Sequence, residues 1–278
     1  MIITKLTGGL GNQMFQYAAG KALAERLQSP FKLDIEQYSL SLPDTARQYE
    51  LEAFELNAEF ATSTDLLLFK MLSKLSSKYN YFKDKNNDFN KDFLKLKNHV
   101  FLIGHWQSYK YFEHIAAKLR SDFTLKKELE NQLFKKTKRK IENNQSVSIH
   151  VRRTDYLTYG VAFHTHGLCG MDYYQKAIRK IIKKVKKPYF FIFSDDLAWC
   201  KKNFQLPFPT EFVQGQNPAQ DMSLMSYCKH NIIANSTFSW WAAWLNIYQN
   251  KQVIAPKQWF KTLQYNVSDR FPNNWTLI

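Results

Sequence analysis

Apolar residues in this chain come in short runs, each followed by a turn and then a stretch with helical spacing. Ile2 to Leu6 is the first run; Gly8-Gly9-Leu10-Gly11 follows, and a helix rich in Ala, Leu and Phe is predicted from Asn12 to about Leu27. Phe31 to Asp34 reads as a strand ending in a carboxylate, and Phe101 to Gly104 as another, running into Gly104-His105-Trp106-Gln107-Ser108. Between them Thr45 to Asn98 is polar and irregular, with one helix predicted near Asp65 to Ser77. A lysine-rich helix over roughly Leu125 to Asn143 precedes the strand Ser146 to Ile149. Regular alternation follows: helix Asp172 to Val185, strand Tyr189 to Phe193, helix Leu197 to Asn203 and strand Glu211 to Val213. Helix Ala219 to Tyr227, strand Ile232 to Ala234, helix Thr237 to Ile247 and strand Val253 to Ala255 complete it.

Strands alternating with helices predict an α/β fold of parallel sheets with helices on both faces. The lysine-rich helix marks the predicted boundary between an N-terminal lobe, 1–143, and a C-terminal lobe, 144–278, with a cleft between them. No internal repeat or low-complexity segment interrupts the pattern.

With 278 residues, 45% hydrophobic and 16% aromatic, the composition excludes a disordered tail protein. The formal charge of +15 fits nucleic acid, an anionic membrane surface or a lysine-rich proteome. Much of the excess is lysine interleaved with apolar residues, as in Lys135 to Lys140 and Lys180 to Lys187, the pattern of solvated helix faces. Cys169, Cys200 and Cys228 are odd in number and widely spaced, which fits neither a disulfide framework nor a paired metal site, so a reducing compartment is expected. No stretch of about 18 apolar residues and no signal peptide is visible, so a cytoplasmic protein, at most peripheral at the inner face of the cytoplasmic membrane, is expected.

The densest chemistry is His150-Val151-Arg152-Arg153-Thr154-Asp155, at the carboxyl end of a predicted strand, where open α/β sheets bind ligands. Guanidinium forks match phosphate oxygens, so Arg152 and Arg153 read as a diphosphate clamp, with His150 and Asp155 left for nucleotide or sugar contacts; the alternative is a surface ion-pair network. The glycine turn at Gly8 to Gly11 with Asn12 and Gln13 is either a ligand contact or a tight turn with Asn12 as cap and Gln13 exposed. Ser194-Asp195-Asp196 closes a strand, and Asp195 either accepts from a base or ribose or belongs to a helix cap. Adjacent aspartates are a poor divalent-ion pair, and the arginines already supply positive charge.

Asn235-Ser236-Thr237-Phe238-Ser239 opens a helix, with hydroxyls and amides where a phosphate would sit, although Ser236 or Thr237 could simply cap. Trp240, Trp241 and Trp244 are at near-helical spacing, which favours core over sugar stacking. Trp106, just past a strand end beside Gln107, is the expected sugar platform. His164, His166, Cys169 and Asp172 are too loosely spaced for zinc, and a polar loop is expected there.

In order along the chain, six blocks resemble the inverting α-1,2-fucosyltransferases of bacteria and animals, grouped as glycosyltransferase family 11. They are Gly8 to Tyr17, Gly104 to Ser108 with Tyr111-Phe112, His150 to Asp155, Phe193 to Asp196, Asp221 to Met225, and Asn235 to Trp241. Each alone is weak; together they are specific and span nearly the full chain.

The resemblance implies a GT-B architecture of two Rossmann-like lobes. GDP-β-L-fucose would be held mainly by the second, with metal-independent, inverting transfer and no cofactor beyond the donor. His-Val-Arg-Arg-Thr-Asp also looks like the motif of α-1,6-fucosyltransferases. Carried over, it implies Arg152 on the β-phosphate and His150 and Asp195 on guanine, with Phe238 and Ser239 lining the diphosphate pocket. Those enzymes offer a glutamate shortly after the motif as base; here Tyr156-Leu157-Thr158-Tyr159-Gly160 carries no carboxylate. Asp155 is the first candidate base and Asp34 the second, and either could instead orient Arg152 or an acceptor hydroxyl.

The expected activity is transfer of L-fucose to the 2-hydroxyl of a terminal β-galactoside. The acceptor would be a glycan precursor, lipid-linked if the charge serves a membrane surface. Acceptor contacts are expected from Asp34, Trp106 and Gln107, with the segment Pro43 to Asn98 shaping acceptor choice. Two alternatives remain: the same donor with another linkage or acceptor, and a basic module that binds nucleic acid or anionic lipid. The transferase reading includes no nucleic-acid partner.

Overall fold

The computed structural model describes residues 1–39, 47–84, 88–154, 167–261 and 269–278. The chain divides into two compact units, Met1–Thr124 with Asn266–Pro272, and Leu125–Tyr265 with Asn273–Ile278. The division therefore precedes the lysine-rich helix instead of following it. That helix buries Phe134, Thr137 and Ile141 within the second unit while its lysines cover the other face, so an apolar stripe assigns it where charge composition did not.

The first unit holds β1 (Ile2–Lys5), α1 (Leu10–Leu27), β2 (Phe31–Asp34), α2 (Glu36–Ser39), β3 (Glu59–Phe60), α3 (Ser63–Leu75), β4 (Asn80–Lys83), β5 (Val100–Ile103) and α4 (Ala116–Asp122). Its five strands run parallel in the order β3-β2-β1-β5-β4. The edge strands β3 and β4 fall in the segment read as irregular, because both β3 residues and most of β4 are exposed and leave no apolar run.

Helix α1 starts at Leu10, earlier than predicted, with Gly9 at its N-cap, so Asn12 is not the cap. Gly8 takes the left-handed φ of 76° that the preceding turn needs. Gly20 lets α1 lie against β1: a Cβ there would meet Thr4 Oγ1 at 2.1 Å and the Phe31 ring at 2.5 Å.

The second unit holds α5 (Gln132–Glu142), β6 (Gln145–Val151), α6 (Met171–Lys184), β7 (Pro188–Ser194), α7 (Leu197–Asn203), β8 (Thr210–Phe212), α8 (Pro218–Tyr227), β9 (His230–Ile232), α9 (Thr237–Leu245), β10 (Val253–Ala255) and β11 (Thr276–Leu277). The six strands are parallel, ordered β11-β10-β9-β6-β7-β8. From β6 the chain steps outward through β7 and β8, then crosses back to β9 on the other side and continues outward, which is the dinucleotide-binding strand order.

Val147, Ile149 and Val151 of β6 pack with Ile178 and Ile181 of α6 and with Phe190 and Ile192 of β7. Trp240 and Trp241 are fully buried and Trp244 nearly so, packed against one another as core, Trp240 stacked on Trp244 and the other pairs edge to face. Among the described residues no helix is long and apolar enough to cross a membrane.

Candidate functional site

Strand β6 extends past Ile149, so His150 and Val151 are strand residues and Arg152 is the first beyond it. A buried central strand tolerates the imidazole because Val151 and Ile149 fill the alternate face. The carboxyl ends of β6 and β9 flank the point where the strand order reverses, the position at which such sheets take ligands. There the His150 ring lies 5.3 Å from the Phe238 ring of α9. The β6 motif and the start of α9, distant in sequence, are thereby brought together.

Asp195, just past β7, organises the loop after β6. Its Oδ1 accepts from Arg153 N at 2.9 Å, and its Oδ2 accepts from Thr154 N at 3.1 Å and Thr154 Oγ1 at 2.7 Å. Arg152 Nε lies 3.4 Å from the same Oδ2, an ion pair that holds the guanidinium beside this carboxylate. The carboxylate expected to face a base is thus committed to the protein's own backbone. Asp195→Ala should cost about 1–3 kcal/mol, because these donors lose their acceptor, and should lower turnover by loosening Arg152; urea denaturation and steady-state kinetics check the two effects.

The paired arginines have different settings. Arg153 Nε meets Asp196 Oδ2 at 3.2 Å, and its guanidinium lies 3.9 Å over the Trp199 ring. Asp196 Oδ1 caps α7 through Trp199 N, and Ser194 Oγ accepts from Asp196 N. Arg153 and Ser194 therefore belong to the cap of α7, leaving Arg152 as the clamp candidate.

The Asn235 to Ser239 segment divides in the same way. Asn235 is buried, with Nδ2 donating to Gly167 O and Trp259 O at 3.2 Å each and Oδ1 accepting from Cys169 Sγ at 3.4 Å. Ser239 is fully buried, donating to backbone carbonyls of Ala234 and Ser236. Both face inward, contrary to a ligand-lining position: Asn235, just before the N-cap of α9, bonds to backbone carbonyls, and Ser239, in the first turn, falls on the core side with Trp240. Ser236 is the N-cap without a side-chain cap bond, and Thr237 and Phe238 are half-buried. These three stand where α9 begins, after the carboxyl end of β9. Asp155, His164 and His166 lie outside the described residues.

Two polar side chains that the motif reading gave no role stand out after β8. Helix α8 begins with a reciprocal cap between Asn217 and Gln220, and Asp221 follows at once. Asp221 Oδ1 is buried without a hydrogen-bond partner, and burial pushes this carboxyl up to about 7. Both amide atoms of Gln216 are likewise buried without partners. Both residues lie on the carboxyl side of the sheet, as Arg152 does. In sequence Asp221 opens one of the six resembling blocks and the capping box lies between the two residues, but neither signal announces burial.

The first unit has its own reversal point between β1 and β5. Gln13, expected either to meet a ligand or to be exposed, is fully buried: Nε2 donates to Gly8 O and Gln48 O at 3.0 and 2.8 Å, and Oε1 accepts from Glu50 N at 2.9 Å. Asn12 Oδ1 accepts from Gln107 Nε2 at 3.0 Å, tying the two turns together. Trp106 is not a sugar platform. Its φ of 54° returns the indole to the core, where it is fully buried and stacked on Phe82 at 5.8 Å. Asp34 is nearly buried, and its Oδ1 caps Glu36 N at 3.0 Å. In the second unit a depression lined by Lys184, Lys186, His230 and Gln252 lies at the amino ends of the sheet, the opposite end from Arg152.

Residues 1–278 match the model of glycosyl transferase family 11. An alpha-1,2-colitosyltransferase from Escherichia coli is 35% identical over 303 aligned positions, which cover 100% of this chain and 99% of the relative. A galactoside 2-alpha-L-fucosyltransferase SEC1 from Bos taurus is 31% identical across 53% of this chain and 42% of its own length. A crystal structure of NodZ alpha-1,6-fucosyltransferase soaked with GDP-fucose superposes with a TM-score of 0.51 at 16% identity, covering 88% of this chain and 91% of that one. At that identity the likeness concerns the fold.

Proposed function

The chain belongs to glycosyl transferase family 11, and from that membership we propose that it transfers L-fucose from GDP-β-L-fucose to the 2-hydroxyl of a terminal β-galactoside, with inversion. The observation that carries the donor half is Arg152, anchored by Asp195 beside His150 at the strand-order reversal of a dinucleotide-type sheet. The α-1,2 linkage is inferred from the activities for which the colitosyl and fucosyl relatives are named.

Cleaving the bond from fucose C1 to phosphate leaves negative charge on the departing diphosphate. Arg152 and the amides at the start of α9, with the hydroxyls of Ser236 and Thr237, are the groups proposed to stabilise it. His150 and Phe238 form an aromatic pair that suits one side of a planar base. Guanine offers two adjacent donors, N1–H and N2–H, and one acceptor, O6. Asp221 takes the donors and Gln216 donates to O6, satisfying polar atoms that the protein itself leaves unpaired. Adenine presents no donor at N1, so this pair favours guanine. Asp155, by its place beside the clamp in sequence, is the proposed base that takes the acceptor proton as the new bond forms.

The colitosyl relative supports a second reading, in which the donor sugar is colitose, L-fucose without its 3-hydroxyl. A site that hydrogen-bonds the 3-hydroxyl rejects the deoxy sugar by about 10⁴-fold, whereas an apolar lining rejects the added hydroxyl by only about 10²-fold. The test is incubation of purified protein with EDTA, lactose and either GDP-sugar, with product read by mass and NMR linkage analysis. Fucose on galactose O2 is the expected result. Faster turnover of GDP-colitose would move the assignment to the second reading, and failure across a broad galactoside panel with intact GDP-fucose binding would remove the acceptor.

A further inference from the structure

Helix α3 carries an apolar face that remains exposed among the described residues. It crosses the first sheet from the edge strand β3 to the opposite edge strand β4, and it docks through Phe69, 1% exposed, onto Ile3 and Phe101. Leu67, Leu68, Met71 and Leu75 are 60%, 51%, 53% and 78% exposed. At helical spacing these four occupy an arc of about 100° opposite Phe69. Four large apolar side chains contiguous on one helix differ from the scattered exposed leucines of an ordinary surface.

The charges beside this face have one sign. Lys70 and Lys74 line one side of the stripe on the helix, and Lys78 and Lys83 follow it; all four are exposed. The single acidic residue between Ser63 and Lys83, Asp65, is held by Lys32 at 2.8 Å and by the Thr62 cap. Tyr81, 41% exposed, stands beside Phe69 with ring centroids 5.4 Å apart. An apolar stripe, a lysine border whose stems can run along the apolar layer, and a neighbouring tyrosine are the composition of a helix lying in the interface of an anionic bilayer. A partner copy of the same surface would set lysine against lysine, which disfavours self-association through it.

We propose that the outer face of α3 docks this protein on an anionic membrane surface, with Leu67, Leu68, Met71 and Leu75 inserted below the headgroups and Lys70, Lys74 and Lys78 on the lipid phosphates. This surface is independent of the donor and acceptor assignments above. The test is co-sedimentation with phosphatidylglycerol-containing vesicles and with pure phosphatidylcholine vesicles, alongside the Leu67→Glu/Met71→Glu/Leu75→Glu variant and the Lys70→Glu/Lys74→Glu variant.

The whole protein should bind the anionic vesicles, more weakly as salt is raised. The leucine–methionine variant should lose affinity by about tenfold or more with an unchanged melting temperature, since all three positions face solvent. Equal binding by that variant would mean that the charge acts without the helix and would overturn the proposal, as would no binding of the whole protein to anionic vesicles. Concentration-dependent dimers that the variant abolishes, without vesicle binding, would assign the face to a second copy instead.

Discussion

Replacing Arg152 with alanine should lower kcat for sugar transfer by about 10²–10³-fold, the usual cost of removing one preorganised donor to developing charge. The geometry explains why the loss should appear in turnover. Arg152 is held at Nε by Asp195, which is itself fixed by two backbone N–H groups and a threonine hydroxyl. No reorganisation is then needed when charge moves onto the diphosphate. Arg152→Lys keeps the positive charge but loses the planar fork and the Nε anchor, so most of the defect should remain. Arg153→Ala should act differently: its contacts with Asp196 and Trp199 belong to the start of α7, so stability should fall more than turnover. Steady-state kinetics at saturating donor, with melting curves for each variant, separate the three. An Arg152→Ala enzyme with kcat within about threefold of the parent would remove it from the transition state.

How much of this was legible in the sequence depends on how each residue is used. Helix Leu197–Asn203 and strand Val253–Ala255 were readable to the residue, because caps and compact apolar runs mark them. Strands β3 and β4 were not, since edge strands with exposed side chains carry no burial pattern. The clustering of arginines, aspartates and hydroxyls marked the right strand ends, but residue type could not divide labour within a cluster. Asp195 and Asp196 are neighbours of one type, yet one ties down the loop after β6 and the other caps a helix. Trp106 shows the same limit: a tryptophan after a strand serves a ligand or the core according to a single backbone φ. Gln13 at a glycine turn read as either a ligand contact or an exposed side chain, but its amide bridges that turn to Gln48 and Glu50, distant in sequence. Asp221 and Gln216 were hidden for the opposite reason, because only the fold reveals a polar atom left buried without a partner.

Asp221 gives the second large effect, and its sign can be worked out. Burial raises its carboxyl from the ordinary value to about 7, while in the unfolded chain it ionises near 3.9. Below about pH 4 both states hold the proton and the carboxyl is tolerated; as pH rises through about 7 the unfolded chain has released it and the folded chain resists, so this stability contribution is lost. Asp221→Asn should remove that slope, and urea melts across the range measure it.

Nucleotide binding should run the other way. Guanine N1–H and N2–H need the ionised carboxylate, so below about pH 7 the proton must leave first, and GDP affinity should fall by up to about tenfold for each further unit of pH. In Asp221→Asn the amide offers one acceptor and turns an N–H₂ toward guanine's donors, costing about 1.5–3 kcal/mol of GDP affinity at alkaline pH. The difference between the two proteins should shrink as the pH is lowered. Ionisation of the nucleotide's phosphates is common to both proteins and cancels in that comparison, which isothermal titration calorimetry can make directly. A parallel pH dependence in parent and variant would place guanine elsewhere and leave the buried carboxyl of Asp221 as a cost to folding alone.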